Sequence, residues 1–199
     1  MPDSVLSPST AAVMPATPIS CAVQEWLADQ GRYAGTIGEL VREVGERFVR
    51  SDLPLARISL LIRTLHPMIA ASGFVWNAAT GGIEEFSRDH QSQSSEAYLL
   101  SPIRRIFEGE PGVRRRLWDP DCPDDFPILN ELRAEGVTDY LVLPVPFSDR
   151  RTYAASFAIA APEGFTDAQV WRIETVISTL ALVVEILAVR QIAQTLANT

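Results

Sequence analysis

The stretch that decides the fold is residues 139–170, DYLVLPVPFSDRRTYAASFAIAAPEGFTDAQV. Its first part predicts a hairpin in which 139–147 pairs with 152–161 across the turn 148–151, because apolar residues there follow the period of a strand. One face of the second arm carries larger side chains at Tyr153, Phe157 and Ile159. The opposite face carries only small side chains, so we expect a helix to approach the sheet closely there. The small residues are Thr152, Ala154, Ser156, Ala158 and Ala160.

The end of the same stretch predicts the start of a long helix. Thr166 is a good N-cap residue, and Gln169 follows at the spacing of a capping box. Phe165 and Val170 take the positions of a hydrophobic staple. No Gly or Pro interrupts the chain before Asn198, so about 32 residues at about 1.5 Å each predict a helix of roughly 48 Å. Such a helix is longer than a domain of this size needs to cover its own sheet.

Outward from this stretch, the spacing of apolar residues alternates between helical and strand periods. It predicts helices at 21–30, 36–49, 98–107 and 128–135, and strands at 57–65, 71–76, 82–87 and 113–118. These elements predict an α+β fold in which helices gather on one face of an antiparallel sheet, with helices at both chain ends. The arrangement resembles the plan of GAF and PAS domains. We therefore divide the chain into a disordered leader (1–19), a sensory domain (20–165) and a C-terminal signalling helix (166–199).

Composition excludes several classes of function. The 199 residues are 47% hydrophobic and 21% charged, which is typical of a globular protein, and all 17 basic residues are arginine. The net charge of −8, with no long basic run, argues against nucleic-acid binding. The first 20 residues hold no basic residue, so they do not form a secretory signal. The apolar run 176–189 is too short to span a bilayer and contains Glu185, so we expect a cytoplasmic protein without a membrane anchor.

A closer resemblance rests on the run DFPILNELRAEGVTDYLVLPVPFSDRRTYAASFAIAAPEGFTDAQV, followed by LALVVEILAVRQIAQTLANT. This half of the chain resembles the N-terminal regulatory region of proteobacterial class III adenylate/guanylate cyclases, and the likeness extends less specifically back to about residue 20. The resemblance implies a GAF-like regulatory domain that controls cAMP synthesis by a catalytic domain placed after it. The catalytic half of that family, with its two metal-binding aspartates, has no counterpart here, so we expect no enzyme activity from this chain. The alternative is a free-standing GAF-like module that binds a small molecule or acts as an adaptor.

A ligand pocket is one candidate site. Five aromatic residues could line a cavity against the sheet, and Arg116, or its neighbour Arg115, could meet a ligand carboxylate or phosphate. The aromatic residues are Trp76, Trp118, Phe126, Tyr140 and Tyr153. The alternative is an ordinary aromatic core beside an exposed arginine strand. Nothing in the sequence indicates a cofactor.

Metal and redox sites have little support. His66 and His90 are the two imidazoles, one before a proline and one in a polar stretch. Cys122 lies among Asp119, Asp121, Asp124 and Asp125, and negative charge disfavours a reactive thiolate. The same aspartates do not follow the spacing of a calcium-binding EF-hand loop. We therefore expect a solvated acidic loop and no metal.

The long C-terminal helix predicts a homodimer. Ile173, Leu180 and Leu187 recur every seven residues, and Ile177 and Val184 fill the alternate positions. We expect these five residues to form the contact between two parallel helices at the start of a signalling linker. The alternative is a helix that packs its apolar residues entirely inside its own domain.

Overall fold

The computed structural model describes residues 18–63, 71–88 and 96–197. The helices are α1 (Pro18–Asp29), α2 (Ile37–Arg50), α3 (Glu96–Leu99), α4 (Pro102–Phe107), α5 (Ile128–Ala134) and α6 (Asp167–Ala197), with a 3-10 turn at Gly31–Tyr33. The strands are β1 (Leu55–Arg63), β2 (Ala71–Asn77), β3 (Ile83–Arg88), β4 (Val113–Arg116), β5 (Asp139–Pro146) and β6 (Thr152–Ile159). The predicted leader, except for the residues that begin α1, lies outside the described residues.

The six strands form one antiparallel sheet in the order β3-β2-β1-β6-β5-β4. The hairpin β5–β6 pairs Asp139 with Ile159 at one end and Pro146 with Thr152 at the other, as the alternation in the sequence predicts. The N-terminal strand β1 is inserted beside β6 at the centre of the sheet. The α+β class and the antiparallel sheet flanked by N- and C-terminal helices are confirmed.

Helices cover both faces of the sheet, which corrects the expectation that they gather on one. The larger core packs α1, α2 and α6 against one face. The smaller core packs α4 and α5 against the other, around Leu129, Val142 and Ala154. The small side chains of β6 lie on this second face, where α4 contacts β6. The close approach of a helix to these residues is therefore confirmed, with α4 as the helix.

Local signals explain where helices begin and end. The predicted capping box of α2 is formed, because the Thr36 side chain accepts from the Glu39 amide and Glu39 accepts from the Thr36 amide. Thr166 and Gln169 make the same exchange at the start of α6. The predicted helix at 98–107 is instead two short helices, because Ser101 caps a new helix at Pro102.

The helix α2 lies unusually close to β2 because of one glycine. A Cβ atom at Gly45 would sit 2.4 Å from the ring of Trp76, which is far inside contact distance. The Trp76 ring is buried beneath this glycine, and its indole N–H finds no hydrogen-bond partner among the described residues. Gly45 therefore sets the distance between the helix layer and the outer half of the sheet.

Candidate functional site

The six residues predicted to line one ligand pocket lie in three different places. Trp76 and Tyr153 are buried in the core beneath α1, α2 and α6. Phe126 and Tyr140 are buried in the opposite core, beneath α4 and α5. Trp118 and Arg116 are exposed. The structure therefore does not bring these six residues together, because alternate strand residues face opposite sides of the sheet.

Arg115, the other predicted anion contact, is already paired. Its Nε and Nη2 atoms lie 2.9 and 2.6 Å from the two carboxylate oxygens of Asp125. The hydrogen bonds from Arg115 lower the pKa of Asp125 below its ordinary value. The guanidinium carbons of Arg105 and Arg115 lie 4.7 and 4.9 Å from the centre of the Phe126 ring. Arg115 therefore ties β4 to the segment before α5.

The acidic loop around Cys122 is paired as well. Asp124 bonds to Arg133 at 2.7 Å, and Asp125 bonds to Arg115. The Cys122 thiol lies 3.7 Å from the carbonyl oxygen of Pro123. Within residues 18–63, 71–88 and 96–197, no three His, Cys, Asp or Glu side chains are grouped so that they could hold a metal ion. His66 and His90 lie outside the described residues.

A small polar cluster interrupts the apolar face beneath α4 and α5. The hydroxyl oxygens of Ser59 and Ser156 lie 2.5 Å apart on the paired strands β1 and β6. Ser156 also hydrogen bonds to the hydroxyl of Tyr140. Burial raises the pKa of Tyr140 above its ordinary value, and the hydrogen bond to Ser156 offsets part of this effect. Three hydroxyl groups can both donate and accept, so this cluster can recognise a polar group that reaches the sheet.

The five residues predicted to form the dimer contact are all buried in their own domain. They lie in the larger core, beneath α6 and against the sheet, where a second copy cannot contact them: Ile173, Ile177, Leu180, Val184 and Leu187. These five residues are therefore not available for a contact between two helices. The heptad repeat that begins at Ile173 is the face that α6 uses to cover its own strands.

A second apolar stripe occupies the outer side of α6. Leu182, Val189 and Leu196 recur every seven residues, Ile186 and Ile192 lie between them, and all five are exposed. This stripe was missed because the helix is apolar on two sides, so a heptad can be drawn in two registers. The spacing 182, 186, 189, 196 was the available signal.

The charged residues beside the outer stripe are held by their own domain. The Glu185 carboxylate accepts from the Ser148 amide and hydroxyl at the tip of the β5–β6 hairpin. Arg190 donates to the backbone carbonyl oxygens of Arg32 and Ala34. Both charged side chains are therefore directed at their own domain, and the five side chains of the stripe itself are apolar.

Two further features of α6 bear on function. The helix is long and apolar enough to cross a membrane by length and composition alone, and 39% of its most apolar 18-residue window is buried inside the domain. Apolar residues on two sides of a helix that covers a sheet account for this composition. A groove of about 140 Å³ lies between α6 and the start of α2, lined by Thr36, Leu187 and Gln194 among others. It is smaller than the roughly 300 Å³ at which small-molecule pockets begin.

Comparisons with known proteins identify the architecture. No protein-family model matches the sequence, and no curated protein matches it. Solved structures do match. The phycocyanobilin-bound GAF domain of a cyanobacterial phytochrome is 13% identical, with a TM-score of 0.58, over 86% of this chain and 96% of that one.

Two bacterial GAF domains give similar agreement. The GAF domain of a two-component sensor histidine kinase from Bacillus halodurans is 14% identical, with a TM-score of 0.53, over 76% of this chain and 95% of that one. The GAF domain of a phosphoenolpyruvate-protein phosphotransferase from Coxiella burnetii is 15% identical, with a TM-score of 0.53, over 83% of this chain and 92% of that one. At these identities the likeness establishes the fold.

Proposed function

We propose that this chain, which has the GAF fold, is a non-catalytic cytoplasmic regulatory domain that dimerises through the outer stripe of α6 and passes a signal along that helix. The observation that carries the proposal is the second apolar stripe, Leu182, Ile186, Val189, Ile192 and Leu196. Covering the sheet requires one apolar side of α6, and that side is already buried. Among the described residues, nothing covers the second side.

The end of α6 extends past the domain. Leu187 is the last buried residue of the helix, and every residue from 191 to 197 is exposed. At about 1.5 Å per residue, the ten residues from Ala188 to Ala197 add about 15 Å of helix after the last buried residue. The first part of this length still lies beside the domain, where Arg190 hydrogen bonds to the carbonyl oxygens of Arg32 and Ala34. An isolated helix of this length is marginal in water, so a partner helix would stabilise it.

A second copy of this chain is the occupant that the stripe fits. The five side chains of the stripe carry no charge, and the flanking Glu185 and Arg190 have opposite signs and are hydrogen-bonded within their own domain, so two copies meet with little like-charge repulsion. Ala193 places a small, exposed side chain beside the stripe, which allows two helices to approach closely. A parallel pair would bring both C-terminal ends together, where an effector domain could follow.

The experiment is sedimentation equilibrium over a series of protein concentrations. We expect a reversible dimer for the native chain and a monomer for Val189→Glu, which buries a charge in the seam. Gln194→Glu is the matched control, because it adds the same charge to an exposed position on the side of α6 that lines the groove by α2. A native chain that stays monomeric, or a Gln194→Glu variant that dissociates as readily as Val189→Glu, would contradict the proposal.

For the effector, we propose a class III adenylate cyclase catalytic domain. The support is the sequence resemblance of the second half of the chain to the regulatory regions of such cyclases. The test joins a class III catalytic domain to Thr199 and compares its rate of cAMP formation with and without Val189→Glu. We expect the variant to lose most of the activity. Equal rates would leave the domain as a module for another effector.

Small-molecule binding is the second candidate, and the hydroxyl cluster of Ser59, Ser156 and Tyr140 favours it. Buried hydroxyl groups on an otherwise apolar face are the kind of polar group that orients a ligand. Native mass spectrometry of freshly purified protein would detect a retained small molecule as added mass. Ser156→Ala should reduce that added mass, whereas Ser87→Ala, at an exposed strand position, should leave it unchanged. A spectrum at the mass of the bare chain in every preparation would count against this candidate.

A further inference from the structure

A buried ion pair lies where the sheet meets the start of α6. Asp139 is the first residue of β5, and its side chain is fully buried. Its Oδ2 atom lies 2.6 Å from Nη2 and 3.2 Å from Nε of Arg114 on β4. A buried carboxylate requires such a partner, because removing an isolated charge from water is costly.

The same pair holds the backbone that leads into α6. The Phe165 amide donates to Oδ2 of Asp139 at 3.0 Å, and Arg114 Nη2 donates to the Phe165 carbonyl oxygen at 2.7 Å. Phe165 directly precedes the N-cap residue Thr166. Gly164 has a φ of +69°, and a Cβ there would lie 2.6 Å from Oδ2 of Asp139. The ion pair therefore leaves no room for a side chain at position 164.

The strand β4, which carries Arg114, makes side-chain contacts on both faces of the sheet. Arg115 faces the opposite core and bonds to Asp125, and Val113 packs among the residues beneath α4 and α5. β4 is four residues long and lies at the edge of the sheet, where it pairs with β5 alone. A short edge strand has few backbone hydrogen bonds, so it moves at less cost than a central strand.

We propose that β4 couples the segment before α5 to the first turn of α6, with Arg114 and Asp139 as the positioning residues. A change that loosens Arg115 from Asp125 shifts β4, moves the Arg114 guanidinium and so loosens the backbone at Phe165. This inference rests on the proposed role of α6 as the output helix. It supplies the route by which the opposite face of the sheet reaches that helix.

The test is hydrogen exchange followed by mass spectrometry on the full chain. Asp125→Asn weakens the grip on Arg115, and we expect amides in 163–173 to exchange about tenfold faster. In an Arg114→Met/Asp139→Leu background the same substitution should change exchange there by less than about twofold, because the coupling pair is gone. Asp124→Asn is the control, since it breaks the Arg133 pair of the same loop without touching β4.

A reciprocal variant keeps the inference falsifiable if the double substitution does not fold. Gly164→Ala pushes on Asp139 and also on the Trp118 indole, so its readout is the segment 121–127 beyond Trp118, where exchange should rise. The inference is overturned if Asp125→Asn acts only within 113–127, if Asp124→Asn acts equally at 163–173, or if Gly164→Ala leaves 121–127 unchanged. Repeating the measurement on the Val189→Glu variant separates this outcome from the fate of the dimer, because the coupling lies within one copy.

Discussion

Two leucines that lie two positions apart on α6 should lose very different amounts of folding free energy on the same substitution. Leu180 is 3% exposed in the larger core, and Leu182 is 59% exposed on the outer stripe. Leu180→Ala removes buried methyl groups and leaves a cavity, so it should lower the free energy of unfolding by about 2–4 kcal/mol. Leu182→Ala removes atoms that water already reaches, so the monomer should lose no more than about 0.5 kcal/mol. The intrinsic helix propensities change identically, which makes the pair a matched comparison.

Urea denaturation followed by circular dichroism measures the difference. With a urea m-value of about 2 kcal/mol per molar, Leu180→Ala should lower the midpoint by about 1–2 M, and Leu182→Ala by about 0.25 M at most. Protein concentration then separates the two roles. The Leu182→Ala deficit should grow with concentration, because the native dimer gains stability by mass action and the variant gains less. The Leu180→Ala deficit should be present in full at the lowest concentration.

Two results would refute this reasoning. Equal midpoints for both variants at low concentration would mean that α6 does not use its Leu180 side to cover the sheet. A Leu182→Ala deficit that does not depend on concentration would mean that the outer stripe stabilises the monomer. Either result would remove the physical basis for assigning the two stripes to different partners.

Two other predictions follow from single contacts. Gly45→Ala should lower the free energy of unfolding by about 2–3 kcal/mol in the same urea assay, because its Cβ would overlap the Trp76 ring and force α2 away from the sheet. A loss under about 0.5 kcal/mol would show that α2 can move away from the sheet at little cost. Because Arg115 lowers the folded pKa of Asp125, this carboxylate adds stability above its unfolded pKa, and that part should disappear as pH falls from about 4 through the lower folded value. Arg115→Gln should flatten this part of the stability–pH curve below about pH 4, and an unchanged curve would contradict the assignment.

The hairpin and the helix starts could be predicted because their signals are local. Alternation along β5 and β6 and the capping pairs Thr36–Glu39 and Thr166–Gln169 act within a few residues of sequence. The division of 98–107 into two helices was also locally encoded, since Ser101 and Pro102 form a start signal inside an apolar pattern. The apolar spacing of 98–107 by itself predicts one continuous helix and does not show this start signal.

The candidate site was harder to predict because it depends on which side of the sheet each residue faces. Tyr140 and Tyr153 lie on adjacent strands of one hairpin, yet their side chains enter opposite cores. Their relation depends on the register between β5 and β6, which pairs Tyr140 with Ala158 and Tyr153 with Val145. A list of aromatic residues contains no information about that register.

The α+β class, the central hairpin and a C-terminal helix with more apolar surface than one domain needs can all be predicted from the amino-acid sequence. These properties follow from periodicity and capping, which act between residues near in the chain. Only the tertiary structure decided which apolar stripe of α6 is covered, because Leu180 and Leu182 differ only in whether the distant β-sheet lies beneath them. The tertiary structure also brings together Arg114, Asp139 and Phe165. A buried charge needs a partner, and this partner comes from an element that is distant in the sequence.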